Sequence, residues 1–208
     1  MPLSSLSIVF YYTGNATGTS NNTLSLGGTI SPYTIPDATA NNVFDDVTGD
    51  ESATGDTEYR GIAVKDNTVN YSMINPKVWI SGFYRASSGA DTIYIARSTF
   101  PLNSNTMGVC TNEGSAPNET GLDWRSEDSG SGGTQSTTID FSPGTLQPGN
   151  WFGLWLKRVV PAGASAWSNR SVTIQVQCET TASPFKSIVN RAYIVSWRKD
   201  GAISVLQA

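Results

Sequence analysis

The segment from Gly149 to Cys178 constrains this chain most. Its first part, Gly-Asn-Trp-Phe-Gly-Leu-Trp-Leu-Lys-Arg-Val-Val, is the longest β-favouring run in the sequence, dense in aromatic and β-branched residues. Its last part alternates: Val172, Ile174, Val176 and Cys178 fall on one face, and Thr173, Gln175 and Gln177 on the other. A period of two marks a strand with one face on a core and one toward water. Between the two runs, Pro161, Gly163, Ser165, Ser168 and Asn169 supply turn chemistry. The runs are therefore expected to pair as an antiparallel hairpin with a long loop. Two strands cannot bury an apolar face alone, so a partner sheet is required.

The rest of the chain repeats that character. Strands are expected at Leu6–Thr13, Leu24–Ile30, Tyr59–Lys65, Lys77–Arg85, Thr92–Arg97, Thr137–Phe141 and Ala192–Trp197, with short candidates at Met107–Cys110 and Leu122–Trp124. Pro32 and Pro36 bracket an extended segment unsuited to a central strand. Asp200-Gly201 sits between β-favouring runs and signals a two-residue turn, so a C-terminal hairpin through Ala202–Leu206 is expected. Only 14% of the residues are charged, and long Ala, Leu, Glu and Lys runs, the main helix signal, are missing. The expected fold is all-β: an antiparallel, jelly-roll-like sandwich over residues 1–180. Residues 181–208 are a hairpin extension, either a separate arm or part of the same domain. The N-terminus lacks a basic region and cleavage site, and reads as a strand. No apolar run approaches membrane-spanning length.

Composition narrows the chemistry. The sequence contains no histidine, which excludes Ser-His-Asp and Cys-His catalysis and any histidine metal ligand. Gly163-Ala-Ser165-Ala-Trp167 departs from the nucleophile elbow at its last position, and Gly27-Gly28 lacks the helix that a phosphate-binding loop needs. A net charge of −4 argues against a nucleic-acid partner, which needs a basic stripe. A glycosidase requires only two carboxylates across a cleft, but the acidic residues here lie mostly in polar loops. The expectation is a non-enzyme without a cofactor. Cys110 and Cys178 read either as a disulfide or as two buried small hydrophobes.

Two residue groups stand out as candidates. Asp45, Asp46, Asp50 and Glu51 cluster in the acidic stretch Asn41–Glu58, with Gly49 and Gly55 as turn points, and invite a calcium reading, since hard cations take several oxygens. Their spacing does not match an EF-hand loop. The alternative is a solvated acidic loop bonding its own backbone, with Arg60 able to pair with one carboxylate. Among the six tryptophans, Trp151 and Trp155 share parity and read as core. Trp79, Trp124, Trp167 and Trp197 are candidate partner-binding residues, because tryptophan is enriched at interface centres.

Two passages carry a resemblance. Asn42-Val-Phe-Asp-Asp-Val-Thr-Gly-Asp-Glu-Ser-Ala-Thr-Gly-Asp-Thr-Glu-Tyr-Arg-Gly-Ile-Ala-Val-Lys65 is similar to a segment of structural proteins encoded by tailed bacteriophages. Gly149-Asn-Trp-Phe-Gly-Leu-Trp-Leu-Lys-Arg-Val-Val-Pro-Ala-Gly-Ala-Ser-Ala166 resembles the Lys-Arg-x-Val-x-Ala-Gly-Ala segment of the same proteins. The resemblance implies a virion protein made in the host cytoplasm and carries no catalytic residues with it. It favours a capsid decoration, or cement, protein on the capsid surface, a homotrimer bound to the major capsid protein. A tail, neck or baseplate component and a host-carbohydrate-binding module are the alternatives.

Overall fold

The computed structural model describes residues 7–15, 19–84, 91–126, 138–181 and 188–199. In chain order these form β1 (Ile8–Thr13), β2 (Ile30–Thr34), α1 (Gly49–Thr54), β3 (Asp56–Asp66), β4 (Met73–Tyr84) and β5 (Thr92–Arg97). Then follow β6 (Arg125–Ser126), β7 (Ile139–Asp140), β8 (Thr145–Leu146), β9 (Trp151–Val160), β10 (Trp167–Thr180) and β11 (Ile188–Lys199). One sheet runs β2-β1-β3-β9-β5-β6; the other runs β11-β10-β4-β7, with β8 also on β4. Every pairing is antiparallel, so the chain is an all-β sandwich. No helix among the described residues is long and apolar enough to cross a membrane.

The hairpin expected between β9 and β10 does not form. β9 lies between β3 and β5 in the first sheet, with Gly61 opposite Trp155 on one side and Ala96 opposite it on the other. β10 lies between β4 and β11 in the second. The physical reason is in the residues of β9. Phe152, Leu154, Leu156 and Val160 enter the core between the sheets, while Trp151 and Trp155 enter a second apolar cluster on the outer face. A strand apolar on both faces is a central strand, and both its edges are already taken. The chain after Val160 therefore crosses to the opposite sheet.

The inter-sheet core draws Ile8, Phe10 and Tyr12 from β1, Ile62 and Val64 from β3, and Ile93 and Ile95 from β5. It meets Val78 and Ile80 of β4 and Val172, Ile174, Val176 and Cys178 of β10, the alternating face read from the sequence. Arg170 and Asp91 tie the sheets together: Arg170 Nε lies 3.2 Å from Asp91 Oδ1, both side chains essentially inaccessible to solvent. Arg170 also donates to the backbone oxygens of Asp91 and Ser171.

The outer face of the first sheet is covered by chain without regular structure. Cys110 donates to the Leu26 carbonyl, Gly28 to the Gly108 carbonyl and Met107 to the Gly28 carbonyl. The strands expected at Leu24–Ile30 and Met107–Cys110 reduce to a single bridge, Gly27 to Val109. Gly27 has φ +91, and a Cβ there would lie 2.1 Å from the Gly108 oxygen and 2.6 Å from the Trp155 ring. The close layering therefore needs glycine at this point. Cys110 belongs to the outer cluster and Cys178 to the inter-sheet core; both are free thiols, and burial pushes each up to about 12. Residues 188–199 pair with β10 from Ile188 opposite Glu179 to Lys199 opposite Trp167, making them the outermost strand of the second sheet among the described residues. The turn expected at Asp200-Gly201 and the strand expected at Ala202–Leu206 lie outside the described residues.

Candidate functional site

The acidic stretch is dispersed into separate structural tasks. Thr48 caps α1, accepting from the Glu51 amide, while the Glu51 carboxylate accepts from the Thr48 amide at 2.7 Å. Asp50 sits in the first turn of that helix, where negative charge offsets the positive end of the helix dipole. Asp45 turns inward to Arg60 at 3.5 Å and Arg158 at 3.4 Å. Among the described residues no group of three or more Cys, Asp or Glu side chains is arranged to hold a metal. Asp45, Asp46, Asp50 and Glu51 therefore do not converge on one point in the way that their clustering in sequence suggested. The capping box Thr48-x-x-Glu51 was the readable signal.

Arg60 and Arg158 form the centre of a buried ionic cluster. Glu58 and Arg60 lie on the inner face of β3, and Arg158 stands opposite Glu58 on β9. Arg60 reaches Glu58 at 3.2 Å and Glu113 at 2.8 Å, and Arg158 bonds Glu58 directly and the Asp45 carbonyl at 2.6 Å. Both guanidiniums rest on the Phe44 ring, at 5.5 and 4.9 Å from its centroid. Arg60 does pair with the acidic stretch, as its position in sequence suggested.

Two guanidiniums thus face three carboxylates, and Glu58 is the one fully enclosed. Burial pushes its carboxyl up to about 7, outweighing the pull of Arg158 and Arg60 and reinforced by Asp45 and Glu113. A raised pKa means that the folded chain holds this proton more tightly than the unfolded one. The stability it contributes is full below the ordinary value of 4.5 and is lost as pH rises through about 7. Between those values the slope is about 1.4 kcal/mol per pH unit. Wild type is therefore expected to lose stability from pH 5 to pH 8 relative to Glu58→Gln, in urea titrations at each pH. Parallel curves would rule this out.

The tryptophan candidates separate. Trp79 is only 7% exposed, so it does not offer its ring to a partner. Trp167 opens β10 and Trp197 pairs opposite Arg170 in β11, so Trp167 is a strand residue and not part of a loop; their side chains lie outside the described residues. Trp124 is partly buried against the outer cluster. Its ring lies 5.9 Å from Tyr59, and the Lys157 ammonium sits 4.7 Å from Trp124 and 4.2 Å from Tyr94. Tyr59, Lys157 and Tyr94 stand side by side across β3, β9 and β5, so the sheet itself sets this row. Desolvation there lowers the Lys157 pKa, while the ring faces favour its charge.

A carboxylate fastens the outer layer. Glu119 accepts from Trp155 Nε1 at 2.9 Å, the Gly108 amide at 2.6 Å, the Thr99 amide at 2.5 Å, and the Ser98 and Thr99 hydroxyls. Burial acts to raise its pKa, but the bonds from Thr99, Trp155 and Gly108 outweigh it and hold the group below the ordinary range.

An opening lies where the sandwich parts at β5, β6 and β7. It is a cleft of about 470 Å³ lined by Arg97, Thr99, Gly121, Asp123, Arg125 and Asp140, with Thr138 and Ile139 completing the wall. Arg97 donates to the Asp140 carbonyl at 3.4 Å and lies 4.9 Å from the Phe141 ring. Arg125 pairs with Asp123, and Lys77 lies 3.3 Å from Asp140. Four charged residues from three separated segments meet here. None was a sequence candidate, because no local pattern links them. The arrangement offers planar donors and carboxylate acceptors in a recess.

No protein-family model matches the sequence, and no curated protein matches it. Solved structures of similar outline exist. One is AvmM, which catalyzes macrocyclization in alchivemycin A biosynthesis: 12% identity over 97% of this chain and 93% of that one, TM-score 0.39. Another is the N-terminal domain of PorA: 12% identity, 93% and 98% coverage, TM-score 0.39. A third is a family 123 glycoside hydrolase from Clostridium perfringens: 15% identity, 75% and 22% coverage, TM-score 0.33. At such scores these likenesses carry no argument about what this chain does.

Proposed function

We propose that this chain is a virion structural protein of a tailed bacteriophage, a capsid decoration protein that braces the major capsid shell as a homotrimer. One observation carries the reading. The two passages that resemble phage structural proteins contain β3 and β9, which pair from Asp56 opposite Val160 to Lys65 opposite Trp151. They also contain Phe44, Asp45, Glu58, Arg60 and Arg158, so the ionic cluster is built largely within them. The passages are thus a single physical unit, and what the resemblance transfers is a stiff scaffold. A brace must keep its shape under load, and the Arg170–Asp91 pair ties the two sheets together. Its outward contact with coat subunits would use the partly exposed row of Tyr59, Tyr94, Trp124 and Lys157.

Particles lacking the protein are expected to assemble and then to rupture at a lower temperature than complete particles. Unchanged heat resistance would reject the bracing role. Immunogold label confined to tails would place the protein in the tail, neck or baseplate instead.

A further inference from the structure

The cleft between β5, β6 and β7 holds cationic donors that its own acidic groups engage only in part. Arg97 has no ion-pair partner among the described residues; its contacts are the long bond to the Asp140 carbonyl and the Phe141 ring. Arg125 bonds Asp123 through one terminal nitrogen, while its Nε is buried without a hydrogen-bond partner. A guanidinium carries five N–H donors, so both side chains retain donors that the oxygens of a ligand can take. The acidic groups are differently placed. Asp140 faces Lys77 and accepts from the Ser142 amide at 2.8 Å, and hydrogen bonds hold its pKa below the ordinary range despite partial desolvation. Asp123 is already paired and 67% exposed.

The unsatisfied demand in the cleft is for an acceptor on Arg97 and Arg125. Guanidinium groups match a carboxylate in planar, bidentate fashion. The two carboxylates nearby disfavour a phosphate dianion or a polyacidic peptide by like-charge repulsion. They favour hydroxyl groups, whose protons they can accept. The volume fits a small-ligand recess of roughly 300–1,000 Å³. We propose that this cleft binds an acidic saccharide, its uronate carboxylate seated on Arg97 and Arg125 and its hydroxyls donating to Asp123 and Asp140. The inference concerns a ligand and stands independently of whether the protein braces a shell.

The test is calorimetric titration of the full chain with a glucuronate-containing tetrasaccharide, a neutral N-acetylglucosamine tetrasaccharide and inorganic phosphate. Amide chemical-shift mapping accompanies it. The acidic saccharide should bind, with shifts centred on Arg97, Arg125 and Thr138. Its affinity should fall at least about tenfold in Arg97→Ala and in Arg125→Ala, the loss of one charge-assisted bond, and recover in part in Arg97→Lys. Both alanine variants should melt with wild type, since neither guanidinium carries a buried ion pair. Equal binding of the neutral saccharide, tighter binding of phosphate, shifts mapping elsewhere, or no binding by any probe would each overturn the proposal.

Discussion

Asp91→Ala is expected to destabilise the protein by about 3–5 kcal/mol, a fall in melting temperature on the order of 10 °C for a chain of this size. The side chain lost is small; the damage comes from what it leaves behind. Arg170 is 0% exposed, and its Nε would lose the carboxylate 3.2 Å away. Two of its other donors would still reach the Asp91 and Ser171 carbonyls, but the buried guanidinium would lose the carboxylate charge that faces it from Asp91. Arg170→Met alone should be damaging for the converse reason, since Asp91 is 1% exposed. The double substitution Asp91→Ala with Arg170→Met removes both charges, and apolar replacements of buried pairs are often neutral. It should therefore recover most of the single-variant loss, giving a strongly non-additive cycle in urea unfolding. Additive losses would show that the pair is not the unit tying the sheets.

That pair also shows what sequence could not supply. Asp91 follows a Ser-Ser-Gly turn and Arg170 precedes an alternating strand, and nothing local couples positions so far apart. Faces were readable: the alternation of Val172 to Cys178 and the shared parity of Trp151 and Trp155 gave the correct burial, because a period of two is a local property. Sheet membership was not. β9 and β10 are neighbours in sequence, and adjacency favoured a hairpin. Only the occupation of both β9 edges by β3 and β5, strands distant in sequence, sends β10 across the sandwich.

The same limit hid the candidate site. Arg97, Asp123, Arg125 and Asp140 come from three parts of the chain, and each alone reads as an ordinary surface charge. The outer layer was equally opaque. It carries no periodicity, and its order comes from backbone bonds such as Cys110 to Leu26 and from one carboxylate. The acidic stretch misled in a different way. Charge density suggested a cation, whereas the partners of Asp45 are two arginines, one on β3 and one on β9.

Trp155→Ala is expected to cost about 3–5 kcal/mol, the range for removing a fully buried large aromatic. Trp155 is 0% exposed and is the largest enclosed side chain among the described residues. Its loss would open the outer cluster and also remove the indole N–H from Glu119. Trp155→Phe separates the two effects: most of the ring volume stays while the bond to Glu119 goes. That variant should lose only about 1–2 kcal/mol, yet speed amide hydrogen exchange at Thr99 and Gly108, which share the carboxylate. Amides of β10, on the far sheet, should keep their protection. Acid should act in the same direction as Trp155→Phe. The Glu119 pKa is depressed, so its stabilisation is present above the ordinary value near 4.5 and is lost as pH falls through the depressed one. This is opposite in sign to Glu58, whose contribution fades as pH rises. Acidification from pH 8 to about 4.5 should therefore tighten the ionic cluster at β3 and β9, and only further acidification should loosen the outer layer. Uniform loss of amide protection across both sheets on acidification would contradict this division of the fold.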